Sequence, residues 1–153
     1  MTQIRRILIV EDDEFKAKDI SLFVRNQITA ETIVASDLGT AIGVLQSSNF
    51  SLIVLDMALP SRNVKRNGGS GASLLSGGLE IIYRLEELQR RDPVVIITQY
   101  PDIPVNGEFV NVRQLSKFPS RYFDANVVGC IQYMRSDPKS WTRDLANVLG
   151  KIP

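Results

Sequence analysis

Three short stretches of this chain run into side chains able to do chemistry. "RILIV" (6–10) leads into Glu11, Asp12, Asp13 and Glu14; "SLIVL" (51–55) leads into Asp56; "PVVIIT" (93–98) ends on Thr98. Crowded carboxylates repel and raise each other's pKa unless a cation joins them. A donor set made only of oxygen suits Mg2+, held by one or two carboxylates, a carbonyl and water. An aspartate carboxylate is also a nucleophile that accepts phosphoryl groups as an acyl phosphate. At such a site the metal draws charge from the incoming oxygens, and the Thr98 hydroxyl is placed to bond one of them. Each stretch has an ordinary reading too: helix-start acids complementing a dipole, a turn cap, a common strand residue. Their coincidence at three strand ends favours a site.

The elements that must position these groups alternate in type. The three stretches read as buried strands, with two more at "ETIVAS" (31–36) and "VVGCIQYM" (127–134). Between them lie segments of helical period. In 14–28, Ala17, Ile20, Val24 and Ile28 share a stripe; after Asp37 as a cap, Leu38, Ala41, Ile42 and Leu45 do; in 79–91, Ile81, Leu85 and Leu88 do. The last helix starts at Asp137 and Pro138 and carries Trp141, Leu145, Val148 and Leu149, with Trp141 as its core anchor. The stretch 99–126 holds Pro101, Pro104 and Pro119 and predicts one imperfect helix near 109–122. Residues 60–78 are rich in Gly, Ser and base, which predicts a flexible loop. The pattern implies an α/β fold: a flavodoxin-like, doubly wound, five-stranded parallel sheet of order 2-1-3-4-5. One domain over 1–153 is expected, with 61–78 as an insertion between the third strand and the third helix.

Composition removes several classes. The 153 residues carry a net charge of +1, against the clustered base that phosphate backbones require, so no nucleic acid is expected. No apolar run approaches the roughly 20 residues that span a bilayer, and acids follow the N-terminal apolar run too closely for a signal peptide. The single cysteine, Cys130, forms no internal disulfide and reads as a small packed hydrophobe, which points to a reducing, cytoplasmic setting. With no histidine in the chain, histidine triads, histidine-ligated zinc and a histidine base are excluded. No phosphate-cradling glycine loop follows the first strand, which disfavours a nucleotide-binding enzyme.

The motifs "ILIVEDD", "LIVLDMALP" and "VVIIT", Gly78 before "LEII", and "VVGCIQYM" before a terminal helix together resemble the receiver domain of bacterial response regulators, the two-component signalling family. The resemblance covers nearly the whole chain. It implies that Asp56 is the phosphoacceptor and that Glu11, Asp12, Asp56 and the carbonyl of Ala58 hold Mg2+. It implies that Thr98 contacts the phosphoryl group and that Thr98 and Tyr133 are the switching pair. No enzymatic role is implied beyond self-catalysed phosphotransfer and dephosphorylation. The implied partners are a sensor histidine kinase or phosphotransfer protein and a downstream protein reading the face of the fourth helix, fifth strand and fifth helix, with a homodimer as an option. Two departures concern the switch. The family lysine three residues past the aromatic is Ser136 here, and the small residue after the threonine is Gln99. The basic loop residues Arg62, Lys65 and Arg66 offer one replacement for the lost charge. A pseudo-receiver that keeps the fold without conventional switching is the alternative function.

Overall fold

The computed structural model describes residues 4–60 and 77–153. Five strands, β1 (Arg5–Val10), β2 (Ala30–Ala35), β3 (Leu52–Leu55), β4 (Val94–Thr98) and β7 (Val127–Gln132), form one parallel sheet. Their order is β2-β1-β3-β4-β7, which is the expected 2-1-3-4-5 once β7 is counted as the fifth strand of that sheet. Among the described residues the helices are α1 (Glu14–Gln27), α2 (Leu38–Ser47), α3 (Gly77–Glu87), α4 (Val112–Lys117) and α5 (Pro138–Leu149), and a 3-10 turn occupies Pro119–Arg121.

The central strands β3 and β4 are buried throughout because both faces of the sheet are covered there, and across the sheet the period of two sorts the apolar residues. Ile7 and Ile9, Leu52 and Val54, and Val95 and Ile97 pack with Ile20 and Val24 of α1 and Trp141, Leu145 and Leu149 of α5. Leu8, Val10, Ile53, Leu55 and Ile96 pack with α2, α3 and α4 on the other face, and Cys130 is buried there as expected. Trp141 anchors the last helix: it is buried and meets Phe23 edge-on at 5.6 Å and Tyr133 at 5.1 Å.

Three local differences from the sequence reading have physical causes. Residues 109–111 are strand, not helix. Asp102–Val105 (β5) and Glu108–Asn111 (β6) pair antiparallel across Asn106-Gly107, both at positive φ (53° and 84°). Asn-Gly is the strongest short hairpin signal, and here it outweighs the helical spacing that starts at Val112. Gly77 and Gly78 are helical, within α3, rather than part of the loop. A Cβ on Gly77 would lie 1.9 Å from the Leu59 carbonyl oxygen, so only glycine lets this end of α3 press against the 57–60 backbone. Asp137 occupies the cap position of α5 but makes no capping hydrogen bond, whereas Asp37 of α2 accepts from the Thr40 N–H.

At the amino ends of the strands, Arg90 reaches Asp92 through two nitrogens, at 2.9 and 2.7 Å. It also donates to the carbonyls of Leu45 and Ser48, and Asp92 in turn accepts from the Phe50 N–H at 2.8 Å. This clasp ties the entries to β3 and β4 together.

Candidate metal and acceptor site

At the carboxyl ends, strand register brings the predicted acids together. Val10 pairs with Leu55, and the Asp56 N–H donates to the Val10 carbonyl at 3.0 Å, so Glu11 and Asp56 emerge side by side. Each follows the parity of the residues that face α1. Glu11 and Asp56 are buried, and Asp12 is exposed. Ligand oxygens of all three lie within 4.8 Å of one another.

Backbone donors fix both buried acids. Glu11 Oε1 accepts from the Asp13 N–H and Asp56 Oδ1 from the Ala58 N–H, each at 3.1 Å. Asp13 does not join the cluster; its carboxylate caps α1 by accepting from the Lys16 N–H at 3.1 Å. Burial pushes the Glu11 carboxyl up to about 8 against the pull of the Lys16 ammonium, and the Asp56 charge adds to the rise.

The donor set fits a hard divalent cation. It is all oxygen, and its negative charge exceeds the one ammonium beside it. Glu11, Asp12 and Asp56 are the residues that would hold such an ion.

Thr98 is fully buried at the end of β4, and its Oγ1 accepts from the Tyr100 N–H at 3.2 Å. It lines a cavity of about 240 Å3 together with Met57, Ala58, Tyr100 and Ile103, so the hairpin built from 102–111 walls the Thr98 side of the strand ends. Gln99 is exposed. Tyr133 is buried: its hydroxyl donates to Asp19 of α1 at 2.8 Å, and its N–H donates to the Thr98 carbonyl at 2.7 Å. Burial, with Asp19 adding to it, pushes that hydroxyl up to about 12, so it remains a donor. Ser136 is exposed, and the guanidinium of Arg135 sits over the Phe15 ring at 4.0 Å. Arg62, Lys65 and Arg66 lie outside the described residues.

Sequence reasoning missed Lys16, which is 2% exposed with its ammonium inside the cluster. Its Nζ stands 2.6 Å from Glu11 Oε2 and 3.6 Å from Asp56 Oδ1, donates to the Ile97 carbonyl at 2.9 Å, and lies 5.6 Å from the Tyr133 ring centroid. The signal was available: Lys16, Ile20 and Val24 fall at i, i+4 and i+8 on the buried stripe of α1, where a lysine needs a partner.

Among curated proteins, the chain is 32% identical over 139 residues to the Detocs response regulatory protein DtcB of Vibrio alginolyticus, spanning 88% of this chain and 93% of that one. The chain belongs to the response regulator receiver family. Solved receiver structures agree in fold. A signal receiver domain from Clostridium thermocellum superposes with a TM-score of 0.62 at 18% identity, covering 97% of this chain and 98% of that one. The response regulator TrrA of Thermotoga maritima, solved in complex with Mg2+ and a beryllofluoride group, gives 0.58 at 16% identity, covering 95% and 99%. No protein-family profile matches the chain. Receivers are signalling modules rather than enzymes, and the acidic cluster here is one that could hold a metal ion. Among the described residues, no helix is long and apolar enough to cross a membrane.

Proposed function

We propose that this receiver is a phosphoacceptor signalling module in which Asp56 takes the phosphoryl group, with Mg2+ at Glu11, Asp12, Asp56 and the Ala58 carbonyl. One observation carries this: a buried carboxylate at the end of β3, held by the Ala58 N–H, with ligand oxygens of Glu11 and Asp12 within 4.8 Å. Mg2+, when bound, supplies positive charge to the phosphoryl oxygens. An Asp56 oxygen forms the new bond to phosphorus as the donor's P–N bond breaks, and the donor imidazole leaves with that electron pair and takes a proton. The Thr98 hydroxyl, free to turn from the Tyr100 N–H, meets a phosphoryl oxygen, and Tyr133 follows through its bond to the Thr98 carbonyl.

The donor class is a sensor histidine kinase or phosphotransfer protein. A downstream protein would read the face of α4, β7 and α5. A groove of about 400 Å3 there, lined by Arg113, Ser116, Gln132, Met134, Ser140 and Arg143 among others, gives that reading a physical surface. The exposed Ser136 favours a second reading, a pseudo-receiver that binds partners without phosphorylation.

Acetyl phosphate with Mg2+ separates the two, since attack by Asp56 then breaks the P–O bond and acetate leaves with the electron pair. Intact-mass spectrometry should show one added phosphoryl group that Asp56→Asn abolishes. No adduct at any Mg2+ concentration leaves the pseudo-receiver.

A further inference from the structure

We infer that Lys16, on α1, is the phosphoryl-binding lysine of this receiver, standing in for the one that Ser136 does not supply. The inference rests on Asp56 being the acceptor.

Three observations meet on this side chain. First, the residues nearest the expected position offer no charge to the pocket: Ser136 is exposed, and Arg135 is engaged on Phe15. Second, Lys16 reaches the site by construction. Asp13 caps α1 through the Lys16 N–H, which puts Lys16 in the first turn, and helical side chains tilt back toward the N-terminus. That tilt aims the stem over the carboxyl ends of the strands. Third, the ammonium touches all three strand ends that form the site: Glu11 after β1, Asp56 after β3, and the Ile97 carbonyl one residue before Thr98 on β4.

An ammonium has three donors, and two have close partners in Glu11 and Ile97. The Asp56 oxygen at 3.6 Å is a looser contact, too long for a good charge-assisted hydrogen bond. A phosphoryl group on Asp56 extends its oxygens beyond that carboxylate and adds charge beside the third donor. No large movement of α1 is needed, because the Ile97 carbonyl already holds the ammonium in place. The bond to Glu11 is the resting partner and competes with a metal for the same carboxylate.

This arrangement makes two predictions of opposite sign, which a merely structural lysine would not. In Lys16→Gln, Mg2+ alone, measured by calorimetry, should bind more tightly, because Glu11 has lost its competitor. Beryllofluoride in the presence of saturating Mg2+, measured by fluorine NMR, should bind about tenfold to a hundredfold more weakly, the loss expected for one hydrogen bond to a charged group. Lys16→Met, which keeps the apolar stem, repeats the test with different packing, and circular dichroism identifies the folded variants. A lysine serving only as counter-charge would leave beryllofluoride binding equal to wild type or stronger, and that result in either folded variant overturns the inference while the acceptor role of Asp56 stands. Failure of the wild-type protein to bind beryllofluoride at Asp56 overturns both.

Discussion

The sheet carries a charged cluster at each end, half-buried at the amino ends and buried at the carboxyl ends, and the two are built on opposite plans. At the amino ends one guanidinium meets one carboxylate with matched geometry, and the leftover donors and acceptors go to the Leu45 and Ser48 carbonyls and the Phe50 N–H. Burial alone would raise Asp92, but Arg90 and the Phe50 N–H outweigh it and hold the carboxyl below its ordinary range. At the carboxyl ends one ammonium faces two buried carboxylates and an exposed third, and Glu11 is driven upward instead. One cluster is satisfied within the chain. The other is short of positive charge, the condition a cation or a charged ligand group relieves.

The comparison can be broken most forcefully at the amino ends. Arg90→Ala strands the Asp92 carboxylate and should cost about 3 kcal/mol in urea unfolding, with Mg2+ affinity unchanged. A small loss would mean that the clasp is not satisfied as described. The next largest effect is a pH dependence confined to the carboxyl ends. Glu11 must be deprotonated to ligate a metal, so Mg2+ affinity should fall, by up to about tenfold per pH unit, as pH drops below about 8. For metal-free protein the sign reverses. The folded state keeps the Glu11 proton up to about 8, whereas the unfolded chain releases it near 4.5. Stability from this group is therefore full below about 4.5 and is lost as pH rises toward 8. Calorimetry and urea titration across that window should move in opposite directions, and Glu11→Gln should flatten the stability trend. The smallest effect is Asp56→Asn, which removes one of two carboxylates competing for Lys16 and should raise stability by about 1 kcal/mol without metal. A destabilised Asp56→Asn would show that the carboxyl-end cluster is balanced after all.

How much of this was legible in the sequence follows from how each feature is encoded. The sheet, its order and the meeting of Glu11, Asp12 and Asp56 depend on long apolar runs and on what immediately follows them, which a linear reading captures well. The hairpin was written in Asn106-Gly107 but sat among prolines and beside a helical spacing, and the competing period won. Lys16 was lost for a different reason. A lysine in the first turn of an amphipathic helix normally reaches solvent, and only the three-dimensional placement of Glu11 and Ile97 turns this one inward. Ser136 stands where the family lysine is expected; the loop bases that the sequence offers as one replacement lie outside the described residues, and Lys16 of α1 is the ammonium that the structure places in the cluster.

The aromatic contact beneath Tyr133 has a practical consequence. Trp141 is the only tryptophan in the chain, its indole is buried against Tyr133, and its N–H has no hydrogen-bond partner among the described residues. Indole emission follows the polarity around the ring. Outward rotation of Tyr133 would expose one flank of Trp141 to water, so a stopped-flow trace of tryptophan emission on adding beryllofluoride and Mg2+ tests whether that rotation occurs.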